Sequence, residues 1–223
     1  MRAASGAVPR LTAKGAATRR RIIEGAAAEV RERGAATTTL DDVCARTATS
    51  KGQIFHYFPG GKEELLLAVA AREAERVLAD QQPHLGELTT WQAWRDWRDA
   101  VVRRYRTQGV QCPLGVLITE LGRSTPAAQL LTTQLIEQWQ AALRTGIAHM
   151  QDTGQIDRRL DADRTAAALV AAVQGGVTIL MSTGRISHLE AALDTCLTLL
   201  GAGGLSGFTA AGSAAQPPAK KSR

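Results

Sequence analysis

Residues 50–58, SKGQIFHYF, gather a hydroxyl (Ser50), a cation (Lys51), a carboxamide (Gln53), an imidazole (His56) and three more rings (Phe55, Tyr57, Phe58). Phe, Trp and Tyr make up only 4% of the chain. Such a set suits contact rather than bond-making. Gln53 can bond an adenine edge bidentately, Lys51 can reach guanine or phosphate, and Phe55 can lie on a thymine methyl. Gly52 lets another backbone approach closely. Ile54 and Phe58, four residues apart, would turn inward and hold such a helix on a core. Ser50, Lys51, Gln53, Phe55, His56 and Tyr57 would then face outward or sideways.

Catalytic patterns are missing. The PGGKEE that follows has a superficial likeness to a phosphate loop. His56 stands at the required earlier glycine, however, and Glu63 follows the lysine in place of Ser or Thr. There is no G-x-S-x-G, no H-E-x-x-H and no clustered Asp/His set, so the chain is not expected to be an enzyme. The three cysteines, Cys44, Cys112 and Cys196, lie far apart without a C-x-x-C pair. That spacing argues against a metal site and against a disulfide framework, and suits a reducing cytosol. No cofactor is implied. The net charge of +6 and a pI near 9.7 suit a polyanionic partner. Arginine supplies most of that charge and asparagine is absent, which codon bias in a GC-rich genome would also produce. No apolar run approaches the roughly 20 residues that cross a bilayer, and no apolar stretch after Arg2 or Arg10 makes a signal peptide. The expectation is a cytoplasmic protein with no membrane partner.

The elements that must position SKGQIFHYF are helices, about nine of them, in an all-α chain. A first helix runs from about Thr18 to Arg33, with Ile22, Ala26 and Val30 on one face and Gly34 capping its end. A second opens at Thr39, with Asp42 three residues on as a capping box. It is short, with Leu40, Val43, Cys44 and Thr47 on its apolar side. After the reading segment, Pro59-Gly60-Gly61 breaks the chain before a longer helix from Lys62 toward Asp80. Thr89 with Gln92, Pro113, Thr125-Pro126, Ala162 and the Ser187–Glu190 pair open the later helices. Two short helices joined by a tight turn describe a helix-turn-helix, whose second helix enters a major groove. The pattern alone equally describes an ordinary helical hairpin with buried aromatics.

The segments TRRRIIEGAAAEVRERG, TTTLDDVCART and SKGQIFHYFPGGKEELLLAV together resemble the TetR family of bacterial transcriptional regulators. The PGGKEELL junction and the later CPLG resemble a subgroup related to multidrug-responsive regulators. Residues 1–15, Ala, Gly and basic without helical periodicity, read as a flexible basic arm, and the resemblance implies a DNA-binding helix-turn-helix domain over 16–62. It also implies a ligand-binding and dimerisation domain over 63–201; residues 202–223 are low-complexity and read as a disordered tail, unable to bury enough surface to order themselves. Carried over by position, Lys51, Gly52, Gln53, Phe55 and His56 line the reading helix. Ser50 lies at its start, and Tyr57 and Lys62 hold phosphate. Thr38 and Thr39 sit at the positive end of the second helix. Arg10, Lys14, Arg19 and Arg20 would add salt-sensitive affinity. Two positions depart from the family pattern. Ala48 stands where the turn usually has glycine, and Phe55 stands where a tyrosine hydroxyl commonly reaches phosphate.

The C-terminal half would hold sensor and dimer. Small residues, Ala168, Ala171, Ala172 and Gly175 among them, with Leu189, Leu193 and Leu197 of the last helix, would form a twofold four-helix bundle. A core internal to one chain is the alternative. Trp91, Trp94, Trp97, Tyr105 and Trp139 would surround a hydrophobic small-molecule effector, with Cys112, Glu120, Gln174 or Gln138 as further lining or polar anchors. Trp at i, i+3 and i+6 is also ordinary core spacing. The expected function is a homodimeric repressor on a palindromic double-stranded operator, released by a hydrophobic ligand. An activator, or a regulator sensing through the Cys112 thiol, is the alternative.

Overall fold

The computed structural model describes residues 11–109 and 125–201, and those residues form eight α-helices and one 3-10 turn with no strand. The arm before Leu11, the tail from Ala202, and the helix expected over Pro113–Gly122, with Cys112 and Glu120, lie outside the described residues.

Helix α1 spans Ala13–Arg33, beginning five residues earlier than its apolar periodicity indicates. The extra turn has a local cause: the Thr12 hydroxyl accepts the Gly15 N–H at 3.1 Å, satisfying a donor that a helix start otherwise leaves unpaired. Lys14 therefore rides on helix rather than on an arm. Helix α2 is Leu40–Thr47, with the expected Thr39/Asp42 capping box formed in both directions. Helix α3 is Lys51–Tyr57 and α4 is Gly61–Ala79. Ile22, Ala26, Val30, Val43, Ile54, Phe58, Leu65 and Val69 are 0–1% exposed and build one core from all four helices. That core extends along α4 past residue 62. The later half of α4, through Ala74 and Val77, joins a second core.

The second core belongs to α5 (Trp91–Gln108), α6 (Pro126–Asp152), α7 (Ala162–Thr183) and α8 (Ser187–Gly201). Two expected caps are placed differently. Thr90, not Thr89, accepts the Ala93 N–H at 3.2 Å, and Gln92 turns instead to Asp96. At α8 the Ser187–Glu190 box does not form. Ser187 is already helical, and Glu190 pairs with Arg106 across to α5. Helix α7 packs between α6 and α8. By length and composition it alone among the described helices could span a bilayer, contrary to the expectation that no segment approaches this. Its buried face, Ala166, Leu169, Val173, Val177 and Leu180, fills the second core.

Close helix approach is set at two glycines. A Cβ on Gly176 would lie 2.6 Å from the Leu189 Cα, so α7 and α8 touch nearly backbone to backbone. A Cβ on Gly25 would lie 2.1 Å from the Thr47 Cγ2. Thr47 cannot swing away cheaply: its buried hydroxyl donates to the Val43 carbonyl at 2.7 Å and pairs with the Thr49 hydroxyl at 2.7 Å. Gly25→Ala is therefore expected to destabilise the N-terminal core by about 1–3 kcal/mol through overpacking, read as a lower urea midpoint. Unchanged stability would mean that α2 is free to shift.

Candidate nucleic-acid interface

Helix α3 has only seven residues, too few to stand alone in water. Two devices hold it. Ile54 and Phe58 are both 0% exposed in the N-terminal core. A reciprocal cap closes its first turn: the Ser50 hydroxyl accepts the Gln53 N–H at 3.2 Å, and the Gln53 Oε1 accepts the Ser50 N–H at 3.0 Å. The outward set is then exposed as expected: Ser50, Lys51, Gly52, Gln53, Phe55 and His56, with Tyr57 half-buried. Phe55, 48% exposed, is a large apolar ring left in water beside Gly61, where a Cβ would come within 3.3 Å of it. His56 and Tyr57 meet edge to face at 4.8 Å.

The cap gives Gln53 a task that its assignment to adenine did not include. Its Oε1 holds the Ser50 N–H, leaving a second lone pair and both amide hydrogens for a base. Lys51 is also engaged, through a 2.9 Å ion pair with Asp41 of α2. That hydrogen bond, and then the charge of Asp41, raise the ammonium pKa above its ordinary 10.5. Lys62 reaches back to donate to the Ala36 carbonyl at 3.0 Å, which ties the start of α4 to the α1–α2 loop. Thr39 stays exposed at the α2 cap. Thr38 does not belong on this surface with its side chain. It is 2% exposed, and its hydroxyl donates to the Gly34 carbonyl at 2.8 Å.

Behind the surface, ion pairs fix α2 against α1. Arg46 bonds the 4%-exposed Glu29 at 2.6 Å and also pairs with Glu32. Arg33 lies 3.4 Å from Glu29 and 2.8 Å from Asp42. The Thr39 hydroxyl and N–H, and then Arg33, hold the Asp42 carboxyl below its ordinary 3.8. The turn into α3 carries a local cost. Ala48 sits at φ 50°, ψ 46°, the left-handed region that disfavours any Cβ by roughly 1–2 kcal/mol. At the other end of the surface, the start of α1 comes alongside α3. A Cβ on Gly15 would lie 3.6 Å from the Tyr57 hydroxyl, and the Arg19 guanidinium lies 5.1 Å from the Phe58 ring centroid. Lys14 and Arg20 are exposed beside it.

These particulars meet a wider likeness. Residues 22–69 match the bacterial regulatory proteins of the tetR family, and residues 89–196 match the tetracyclin repressor-like C-terminal domain. The chain belongs to the TetR family. An uncharacterized HTH-type transcriptional regulator of Mycobacterium tuberculosis is 32% identical over 110 residues, 47% of this chain and 53% of the relative. The chain thus spans about half the length of that curated relative. An HTH-type regulator from the lacX 3′ region of Lactococcus lactis is 25% identical over 190 residues, 81% of this chain and 92% of its own. Among solved structures, a TetR regulator from Chloroflexus aurantiacus superposes with a TM-score of 0.73 at 28% identity, over 84% of this chain and 96% of its own. A complex of SmeT with triclosan has the same fold, with a TM-score of 0.65 at 22% identity, over 92% of this chain and all of its own.

The C-terminal half of this TetR chain brings most of the expected rings together, as buried core residues. Trp94, Trp97 and Trp139 are 0% exposed and Tyr105 is 3% exposed. Trp94 and Trp97 meet edge to face at 5.9 Å. Trp91 is not among them, being half-buried near Gly201 at the end of α8. Gln174 is half-buried and Gln138 exposed. The polar partner in the core is Gln81, whose Oε1 accepts the Trp97 indole N–H at 2.7 Å. The Trp94 and Trp139 indole N–H groups are buried with no acceptor among the described residues. Cys44 and Cys196 are free and half-buried, and burial pushes the Cys196 thiol up.

Two of the expected interface leucines are corrected outright. Leu189 and Leu193 are 0% exposed within their own chain, because Gly176 draws α8 hard against α7. Leu197 is half-buried. Ala168, Ala171 and Gly175 are exposed and Ala172 is half-buried. They continue toward Ile179, 38% exposed.

Two substitutions test the geometry of the surface. Ala48→Gly should raise stability by about 1 kcal/mol, the left-handed penalty less the extra unfolded-state freedom of glycine. A lower melting temperature would show that the turn is not strained. Asp41→Asn frees Lys51 and removes an anion from the surface. Duplex affinity should rise several-fold at low salt, with a log–log salt slope steeper by about one. Unchanged binding in filter or fluorescence titrations would place Lys51 away from phosphate.

Proposed function

We propose that the chain is a homodimeric repressor that reads an inverted-repeat operator with α3 and leaves it when a small apolar molecule binds the regulatory domain. One observation carries the DNA reading: Ile54 of α3 and Phe58 at its end are wholly committed to the core, while Ser50, Lys51, Gln53 and His56 are exposed on its outer face. In a helix-turn-helix, those early residues are the ones a major groove receives.

Dimerisation is supported by the stripe along α7 formed by Ala168, Ala171, Gly175 and Ile179. A Cβ on Gly175 would meet nothing within 4 Å, so a second helix could approach closely there. A twofold pair would present two α3 helices, and operator symmetry would follow. The effector reading rests on the second core. The SmeT neighbour is complexed with triclosan, and here two buried indole N–H groups lack acceptors among the described residues. A buried donor left unpaired costs about 1–3 kcal/mol, so an apolar ligand carrying an ether, hydroxyl or carbonyl oxygen would recover part of that.

Selection of duplexes from a random pool tests this reading, and enrichment of an inverted repeat is the expected outcome. A sedimenting species of one chain at micromolar concentration, with no enriched sequence, would overturn it. Gln53 separates reading from capping. Gln53→Glu keeps an acceptor for the Ser50 N–H but has no donor for adenine N7, so it should stay folded and lose base preference. Gln53→Ala should lose preference and also about 1 kcal/mol of stability. If Gln53→Glu leaves the selected sequence unchanged, Gln53 only caps.

A further inference from the structure

Four arginines converge on one cleft away from α3. Arg31 comes from α1, Arg76 from α4, and Arg103 and Arg104 from α5, around about 560 Å³ of open space that Glu73 and Asp80 also line. The cleft is distinct from the indole core and from the reading surface. Glu73 lies eleven residues along α4 from Lys62, about 16 Å of helix.

The charges do not balance. Glu73, only 3% exposed, takes Arg76 at 3.2 Å and Arg31 at a looser 4.0 Å through the same oxygen. Asp80 is taken by Arg104. Arg104 still has a buried Nε without an acceptor among the described residues, and its side chain is only 12% exposed. Arg103 is exposed at the cleft, with no ion-pair partner among the described residues. Four guanidiniums against two carboxylates leave two positive charges, one shared by Arg31 and Arg76 over Glu73 and one on Arg103, while Arg104, though paired with Asp80, keeps a buried donor to give. Guanidinium is the group best shaped to take a planar or tetrahedral oxyanion by paired N–H donors, and the volume suits a small molecule.

We propose that this cleft binds a small dianionic ligand, a phosphate monoester or dicarboxylate, bridging the DNA-binding helices and the regulatory domain. Arg31 would contact it from the first and Arg103 from the second. Arg104 would spend its unpaired Nε on it.

Calorimetric titration of the full chain, without DNA and at matched ionic strength, tests this with inorganic phosphate in one arm and malonate in the other. Because no DNA is present, the result stands apart from the operator reading. Saturable binding of at least one anion below about 1 mM is expected. Arg103→Gln and Arg31→Gln should each weaken it roughly tenfold. Arg164→Gln, exposed on α7 outside the cleft, should leave it unchanged. Arg103 has no ion-pair partner to lose among the described residues, so its variant remains informative if Arg31→Gln misfolds. No saturable binding would overturn the proposal. So would equal losses in Arg164→Gln. So would an Arg103→Gln variant that binds the anion normally.

Discussion

Everything this chain presents to a partner at its N-terminal end depends on burying two side chains. Helix α3 is too short to persist by its own hydrogen bonds, and its outer face is polar or aromatic and gains nothing from the core. Ile54 and Phe58 supply the attachment, each 0% exposed against residues from α1, α2 and α4. Fully burying one such side chain is worth about 1.5–3 kcal/mol, so the two together exceed the roughly 1–2 kcal/mol of strain at Ala48. The left-handed alanine can therefore be tolerated: the turn is held by what lies on either side of it, not by its own preference. The Ser50–Gln53 cap then fixes the direction in which the first turn of α3 points.

A second layer fixes α2 in place beneath it. Gly25 brings α1 to within contact of Thr47, and the same interface contains the nearly buried Glu29. A carboxylate at 4% exposure is costly unless paired, and truncating one member of a buried pair can cost about 3–5 kcal/mol. Arg46 and Arg33 both reach Glu29, so the charge has two supports. The pairing is directional where packing of alanines is not. It sets how far α2 can slide along α1, and hence where Ser50 begins.

The helical order was legible because caps and apolar periodicity are local. Thr39 with Asp42, Ile54 with Phe58 and the exposed edge of α3 follow from spacing alone. Early helix starts were less legible: Thr12 caps α1 through a hydroxyl that no periodicity marks. Gln53 was read as a base contact because its type suits adenine, yet Ser-x-x-Gln is also a capping signature. That double use was visible in the sequence and was missed. Leu189 and Leu193 were assigned to an outer interface because a helix with many apolar residues has two plausible faces. Only Gly176 decides between them, since it brings α8 onto α7 and buries that leucine face within the chain. The arginine cleft was not legible at all. Arg31, Arg76 and the Arg103–Arg104 pair lie far apart along three helices, and only the folded arrangement brings them together.

The remaining link is mechanical. Helix α4 contributes Leu65 and Val69 to the first core and Ala74 and Val77 to the second, so neither core can move without it. Its two ends are tied differently. At the start, Lys62 holds the Ala36 carbonyl, an exposed bond that water or phosphate can replace. At the far end, Gln81 donates to the Val77 carbonyl at 2.8 Å and accepts from Trp97 at 2.7 Å, a buried pair of bonds that water cannot replace. A change among the indoles would therefore reach α4 before it reached solvent, while a change at Lys62 could be absorbed locally. For an effector to alter DNA affinity through this path, it must bind more tightly to one position of Trp97 than to another. Affinity that is equal in both positions shifts nothing, however strong it is.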